Sequence, residues 1–322
     1  MVSKSRTAVI GAGMAGLTCA TALQAAGHPV VVFDKARGPG GRMSTRRLGL
    51  GQALGDGEVA FDHGAPAFAA LGADFQAQVE AWRLQGVVAP WLDAGPGQFV
   101  GLPAMNAPLK AMAAGLETRW TQTLSSLSRD GSGWRLEGTA EDEGVFDRVV
   151  LAIPAEQAAV LLAPVQPDFA ALAKASPSEP CWTLMAVFDG PVGGAPAVLT
   201  GGNVVGWAGR EASKPGRGTV EAWVIQAGPD WSRDHLELTA DEAAPRLLSG
   251  FEALLGSQAP PVLSAVAHRW RYARPLGAAR EALWDPAVGL GVCGDWLGGG
   301  AVEGAWRSGR QLADRLTESR LP

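Results

Sequence analysis

Gly11-Ala12-Gly13-Met14-Ala15-Gly16 follows the apolar run Ala8-Val9-Ile10 and opens a helical stretch that reaches Gly27. Val30–Phe33 then reads as a second buried strand and ends at Asp34, 23 residues after Gly11. Strand, glycine turn, helix, strand and acid follow one another as in a dinucleotide-binding βαβ unit. Each part has a physical task. Gly11 permits the tight turn, Gly13 lets the backbone approach a pyrophosphate, and Gly16 lets helix and strand pack closely. The helix N-terminus offers unpaired N–H groups to phosphate oxygens. A carboxylate at Asp34 accepts from a ribose diol and repels a 2′-phosphate, so FAD or NAD fits better than NADP. The glycine spacing alone would carry little weight in a chain with 43 glycines. Its weight comes from the two strands, the helix and the acid standing in register around it.

At 322 residues the chain exceeds one ordinary domain, and its 47% hydrophobic content is ample for two cores. A net charge of −5 argues against a nucleic-acid surface or an anionic membrane as partner. Cys19, Cys181 and Cys293 are odd in number and far apart. They form no CxxC and no disulfide framework, which fits a reducing, cytoplasmic setting. His28, His63, His235 and His268 show no metal-ligand spacing, so no metal site is expected. No apolar run is long enough to span a membrane. Lys4 and Arg6 before an apolar stretch imitate a signal peptide, but cleavage there would destroy the glycine-turn unit.

Further along, Lys35–Thr45 reads KARGPGGRMST, too rich in glycine and arginine for a strand. Helices are expected over Phe75–Leu84, with Phe75, Val79, Trp82 and Arg83 on adjoining turns, and over Met105–Gly115. Strands are expected at Thr118–Leu127 and Trp134–Glu137, around a hairpin tip at Asp130-Gly131-Ser132-Gly133. A buried strand at Arg148–Ile153 and a helix at Ala155–Leu162 follow. Prolines and serines over Pro164–Pro180 mark a crossing between domains. Beyond it the pattern is strand-like at Trp182–Phe188, Val198–Leu199, Val204–Trp207, Val220–Ile225 and Val262–Tyr272, interrupted by a helix at Ala240–Leu255. Gly289–Cys293 is again a short buried strand, and Val302–Leu316 a final amphipathic helix. The dinucleotide domain is thus entered more than once: residues 1–70, 101–170 and 285–322, with 71–100 and 171–284 forming a substrate domain.

Two further blocks carry chemistry. In Arg37-Gly38-Pro39-Gly40-Gly41-Arg42-Met43-Ser44-Thr45 the glycines let the chain pass close to a ligand, and Arg42 supplies a forked donor for phosphate oxygens. Gly294-Asp295, after a buried strand, leads into Val302-Glu303-Gly304-Ala305. Asp295 has two open readings: a hydroxyl acceptor for a ribityl or ribose group, or a carboxylate capping an ordinary turn. The positive end of the last helix suits the negative charge that a reduced flavin carries near N1.

Together these blocks resemble the FAD-binding pattern of the flavin amine-oxidase superfamily and, more narrowly, the bacterial renalase family. The resemblance runs from the N-terminus to the final helix. It is carried by Phe33–Arg47 (FDKARGPGGRMSTRR), Phe61–Ala65 (FDHGA), Ala267–Pro275 (AHRWRYARP) and Gly291–Gly309 (GVCGDWLGGGAVEGAWRSG). It implies an α/β architecture: a Rossmann-type FAD-binding domain with an inserted substrate domain built on an antiparallel sheet, as in amine oxidases and p-hydroxybenzoate hydroxylase. It implies FAD held noncovalently. By that likeness Gly11, Gly13, Ala15, Gly16 and Asp34 hold the cofactor, together with Lys35, Arg37, Gly41, Arg42 and Met43. Gly64 and Ala65 match the segment beside the flavin ring, and Leu124 the strand position whose backbone pairs with adenine. Asp295, Val302 and Ala305 complete the set. Renalases oxidise isomers of NAD(P)H, with the hydride on ring carbon 2 or 6, to NAD(P)+; oxygen then reoxidises the flavin to give hydrogen peroxide.

The residues bear on that activity. Amine-oxidase relatives often keep a lysine near flavin N5, on a strand before the last flavin motif, and an aromatic pair near the C-terminus. Here no lysine follows Lys214, and Tyr272 is the only tyrosine. A dihydropyridine needs no base, because hydride loss itself restores the aromatic ring, so orientation of the donor is the main requirement. His268, Trp270 and Tyr272 alternate onto one face of their strand, either lining the pocket or packing a core. One departure concerns the substrate: where renalases carry Gln-Tyr-Phe after the Gly-Ala, this chain has Pro66-Ala67-Phe68. The expectation is therefore an FAD oxidase of dihydropyridine dinucleotides, with oxygen as partner. The alternatives are a flavin amine oxidase or other FAD oxidoreductase on a small or hydrophobic substrate, and a non-catalytic dinucleotide-binding protein.

Overall fold

The computed structural model describes residues 5–49, 57–131, 133–139 and 143–318. The chain divides into two compact units, one of Met1–Gly41, Leu109–Ser178 and Pro275–Pro322, the other of Arg42–Pro108 and Glu179–Arg274. The second unit thus takes in residues 42–70 and 101–108, which the sequence reading joins to the first.

The first unit is built on a six-stranded sheet in the order Leu283–Asp285, Leu290–Val292, Arg148–Leu151, Thr7–Ile10, Val30–Phe33, Glu117–Arg119. All neighbours run parallel except Leu283–Asp285, which is antiparallel to Leu290–Val292. Every residue of the four inner strands is buried, as a parallel sheet covered on both faces requires. From the central strand the chain turns at Gly11 into the helix Met14–Ala25. The last helix, Ala301–Glu318, packs on that helix so closely that a Cβ on Gly309 would overlap the Ala15 carbonyl. An antiparallel hairpin of Leu124–Asp130 and Gly133–Gly138 sends Leu127 and Trp134 into the core beside Phe33, Phe146 and Leu151. Of its expected tip, Ser132 lies outside the described residues.

The second unit holds a five-stranded sheet in the order Val198–Thr200, Val205–Arg210, Ala222–Ala227, Ser178–Phe188, Val262–Pro275. The first three pairings are antiparallel. The helix Ala240–Leu255 lays Ala243, Leu247 and Phe251 against Phe188, Trp223 and Ile225. Its start is fixed by a reciprocal capping box between Thr239 and Glu242, and its end by Gly256 in the left-handed region. A short hairpin, Arg46–Gly49 with Glu58–Phe61, contributes Val59 and Phe61 to a separate cluster with Met185, Val187 and Val224. The helix Ala73–Leu84 buries Phe75, Val79 and Trp82, while Arg83 turns outward to Glu80.

The helices expected at Ala155–Leu162 and Ala240–Leu255 form over those bounds, and Met105–Gly115 shortens to Ala107–Ala113. Three helices have no counterpart in the sequence reading: Pro167–Lys174, Pro229–Asp234 and the one-turn Asp295–Gly298. The first two begin at a proline, which breaks a helix interior but suits its first turn, where the N–H has no partner anyway. No helix among the described residues is long and apolar enough to cross a membrane. No group of three or more His, Cys, Asp or Glu among them is placed to hold a metal ion.

Candidate functional site

The glycine turn is built as the spacing requires. Gly11 has φ +111°, and a Cβ there would overlap the Ala152 carbonyl. On Gly16 a Cβ would overlap the Gly11 carbonyl and stand 3.0 Å from the Ala152 methyl. Gly13 differs: its Cβ would meet nothing within 4 Å. Gly13 is the N-cap of the helix Met14–Ala25 and supplies no side-chain cap, and no acid stands in the first turn. The positive end of that helix is therefore left for an anion, with open space before it. Gly40 donates its N–H to the Ala12 carbonyl at 3.1 Å, and Gly41, at φ +52°, brings the loop over Gly13.

Asp34 is held rigidly. Its Oδ2 accepts the Ala12 N–H and its Oδ1 the Ala36 N–H, each at 2.7 Å. Both oxygens retain a second lone pair for a ribose hydroxyl. An uncapped helix, an open cradle at Gly13 and an oriented carboxylate at the end of the second strand suit the pyrophosphate and ribose of FAD.

In the second unit the His63–Gly64–Ala65 segment is tied down on several sides. Ala65 donates to the Arg42 carbonyl at 2.8 Å, and a Cβ on Gly64 would overlap that same carbonyl. Gln226 Nε2 donates to the Gly64 carbonyl at 2.6 Å, and Trp270 Nε1 to the His63 carbonyl at 2.8 Å. The His63 ring packs against His268 and Trp270, with centroids 5.0 and 4.9 Å away, and His268 lies 4.7 Å from Trp270. Burial, reinforced by His268 and Arg46, lowers the His63 pKa to about 4; burial and Arg46 also lower His268. Near neutral pH these rings form an uncharged aromatic set.

Beside it lies a buried ionic cluster that local sequence patterns do not reveal. Lys214 Nζ sits 3.1 Å from Asp62 Oδ2 and 2.7 Å from Glu211 Oε1, all three side chains almost wholly buried. Arg217 also reaches Asp62, and Met105 N–H and Thr45 Oγ1 donate to Asp62 Oδ1 at 3.0 and 2.7 Å. Burial alone would raise the Asp62 pKa, but Lys214 and Arg217 pull it down to about 2, whereas burial dominates at Glu211 and raises it.

The structure brings His268 and Trp270 together as the alternation requires, adds His63 and Gln226 to them, and places Tyr272 half-buried farther along the strand. Lys35 and Arg37 are exposed, Met43 is buried, and Arg42 Nη1 lies 3.5 Å from the Ala273 carbonyl. Leu124 is half-buried in its hairpin. Asp295 is buried at the first position of the short helix Asp295–Gly298, and its Oδ1 accepts the adjacent Trp296 N–H at 3.0 Å without capping the helix, whose N-cap is Gly294. Val302 is buried and Ala305 half-buried in the first turns of the last helix, and Cys293 is a buried free thiol. The signal for His63 lay in the FDHGA block; its partners are about 200 residues away and follow no local period.

Comparison with known proteins agrees with this construction. Residues 9–82 match the NAD(P)-binding Rossmann-like domain, and residues 87–317 match the flavin containing amine oxidoreductase family. A protoporphyrinogen oxidase-like protein from Exiguobacterium sp. 255-15 superposes with a TM-score of 0.78 at 11% identity, over 99% of this chain and all of that one. A triple mutant of putrescine oxidase gives 0.72 at 15% identity over 97% and 98%. Cyclohexylamine oxidase from Brevibacterium oxydans IH-35A gives 0.66 at 16% identity over 98% and 99%. At such identities the superpositions establish the shared fold, while the sequence match spans most of the chain: it belongs to the flavin containing amine oxidoreductase family and is an FAD-dependent oxidoreductase.

Proposed function

We propose that this oxidoreductase is renalase-like: it oxidises the 2- or 6-dihydro isomers of NAD(P)H to NAD(P)+. The observation that carries the reading is the fate of Lys214. It is the only lysine of the second unit, and its ammonium is spent on Asp62 and Glu211. No lysine of that unit is left to serve an amine substrate. FAD, when bound, accepts the hydride, and oxygen takes the two electrons to give hydrogen peroxide. What the chain supplies is orientation. Trp270, His63 and His268 offer neutral ring surfaces for a planar dihydropyridine, and the bonds from Gln226 and Trp270 hold the His63–Gly64 segment in one position. Loss of hydride restores the substrate's aromaticity, so no group need remove a proton.

A second reading, oxidation of a small or hydrophobic amine, is favoured by Pro66-Ala67, where small half-buried groups replace the polar and aromatic residues expected of a renalase. Two of the structural relatives are named for amine oxidation. Anaerobic mixing separates the readings. On the first, 6-dihydro-NAD bleaches the flavin at least about a hundredfold faster than benzylamine, a gap of about 3 kcal/mol in barrier. The reverse ranking establishes the second.

A further inference from the structure

Two arginines of the second unit, one acting on the histidine rings and one beside Gln226, form no ion pair among the described residues. Arg46 opens the short hairpin, is exposed, and lies across from Phe61, two residues before His63. Its charge acts on both His63 and His268. Arg274 is exposed on the strand that carries His268 and Trp270, and its Nη2 reaches Gln226 Oε1 at 3.5 Å, the glutamine that holds the Gly64 carbonyl. Neither arginine forms an ion pair among the described residues, although most arginines of this unit do: Arg47 with Glu58, Arg210 with Glu221, Arg217 with Asp62, Arg233 with Asp230, and Arg269 and Arg271 with Glu237. The nearby acids are thus committed elsewhere, Asp62 to Lys214 and Arg217, Glu237 to the opposite face of the strand. Among the described residues, what remains is an uncharged aromatic surface with the Arg46 guanidinium acting on its histidines and the Arg274 guanidinium beside Gln226, neither of them in an ion pair. Such a surface attracts a planar group bearing a negative charge and raises the energy of an ammonium placed there.

We propose that Arg46 and Arg274 recognise an anionic substituent of the substrate, so that this face takes a phosphate-bearing planar hydride donor and disfavours a cationic amine. The proposal rests on reading the His268–Trp270 face as the substrate face and narrows the substrate to nucleotides over nucleosides. The test measures kcat/KM for 6-dihydronicotinamide mononucleotide against the phosphate-free riboside, in the holoenzyme and in Arg46→Met, Arg274→Met and Arg46→Lys. The wild type is expected to prefer the mononucleotide at least about tenfold at low salt, less as salt rises. Arg46→Met and Arg274→Met should each reduce that preference several-fold, and Arg46→Lys should retain most of it. A preference unchanged in both methionine variants, or a loss equal for the two substrates, overturns the proposal while leaving the dihydropyridine activity standing. If neither dihydropyridine bleaches the flavin and benzylamine does, the renalase-like reading falls. The same variants are then compared on 4-(aminomethyl)benzoate and benzylamine. A carboxylate preference that the methionine variants lose sustains the anion site; its absence overturns it.

Discussion

The glycine turn and the ring face are constructed by opposite means. Gly11 and Gly16 act through backbone geometry, and Asp34 through a carboxylate fixed by two backbone N–H groups, all within a stretch of 24 residues. The ring face is assembled from Arg46, His63, Gln226 and Trp270, side chains brought from distant stretches by strand pairing. A site made of backbone tolerates no added atom. A site made of side chains tolerates changes of shape and is vulnerable to changes of charge. The difference between the two can be measured.

The largest effect is expected at the turn. Gly16→Val places a branched side chain where even a Cβ overlaps the Gly11 carbonyl, and that atom is backbone with no room to yield. A loss above about 3 kcal/mol and a preparation without bound flavin are expected. A yellow protein with the wild-type melting temperature would show that this helix and strand are not in contact as described. In the second unit, Lys214→Met removes the ammonium that compensates two buried carboxylates, at a cost of about 3–5 kcal/mol in urea unfolding. Adding Glu211→Gln should recover part of it, since one uncompensated charge is then gone. The cluster also leaves a signature at acid pH. Asp62, held at about 2 against its ordinary 3.8, stabilises the fold above about pH 4 and loses that contribution as the pH falls toward 2.

His63 gives a smaller effect in a different pH window. Its folded pKa of about 4 lies below its ordinary 6.5, so between these values the unfolded chain holds a proton that the native state does not. Stability therefore rises with pH across the window, is complete above about 6.5, and falls by about 3 kcal/mol on acidification to pH 4. Comparing urea midpoints at pH 7.5 and 5 in wild type and His63→Phe isolates it: the variant should lose most of the slope. An unchanged slope would assign the titration to another group.

The two regions also differ in how far the sequence reveals them. The glycine turn is readable because its constraints are local: a positive φ, a close approach and an acid at the end of the next strand all fall within one βαβ unit. The inner strands of the first sheet and the longer helices are readable through period and burial, whereas the short strands Arg46–Gly49 and Glu58–Phe61 are not. Nor are the partners of His63 and the Lys214 cluster, because they are joined over long separations: Lys214 and Asp62 lie 152 residues apart and meet only after the sheet has formed. Trp270 and His268 are intermediate. Alternation along their strand shows that they share a face, but only the contact with His63 shows what that face meets. Proline misleads in a different way, since Pro167 and Pro229 start helices where composition suggests a break.

Gly13 permits the finest test of the comparison, because it is the one glycine of the turn with no neighbour for a Cβ. It sits at a φ of −85°, which any residue adopts, so Gly13→Ala carries no backbone strain. If its role were structural, as at Gly16, nothing in the fold would oppose the methyl group, and the apoprotein's melting temperature should indeed stay within about 2 °C of wild type. The space the methyl would enter lies at the uncapped helix end, where the pyrophosphate of FAD is expected. FAD affinity should therefore weaken about tenfold, or about 1.4 kcal/mol, by titration of the apoprotein. Unchanged affinity would remove Gly13 from the cofactor contact and leave the turn with a purely structural role, whereas weakened affinity with an intact fold separates the glycine that serves the ligand from the two that serve the chain.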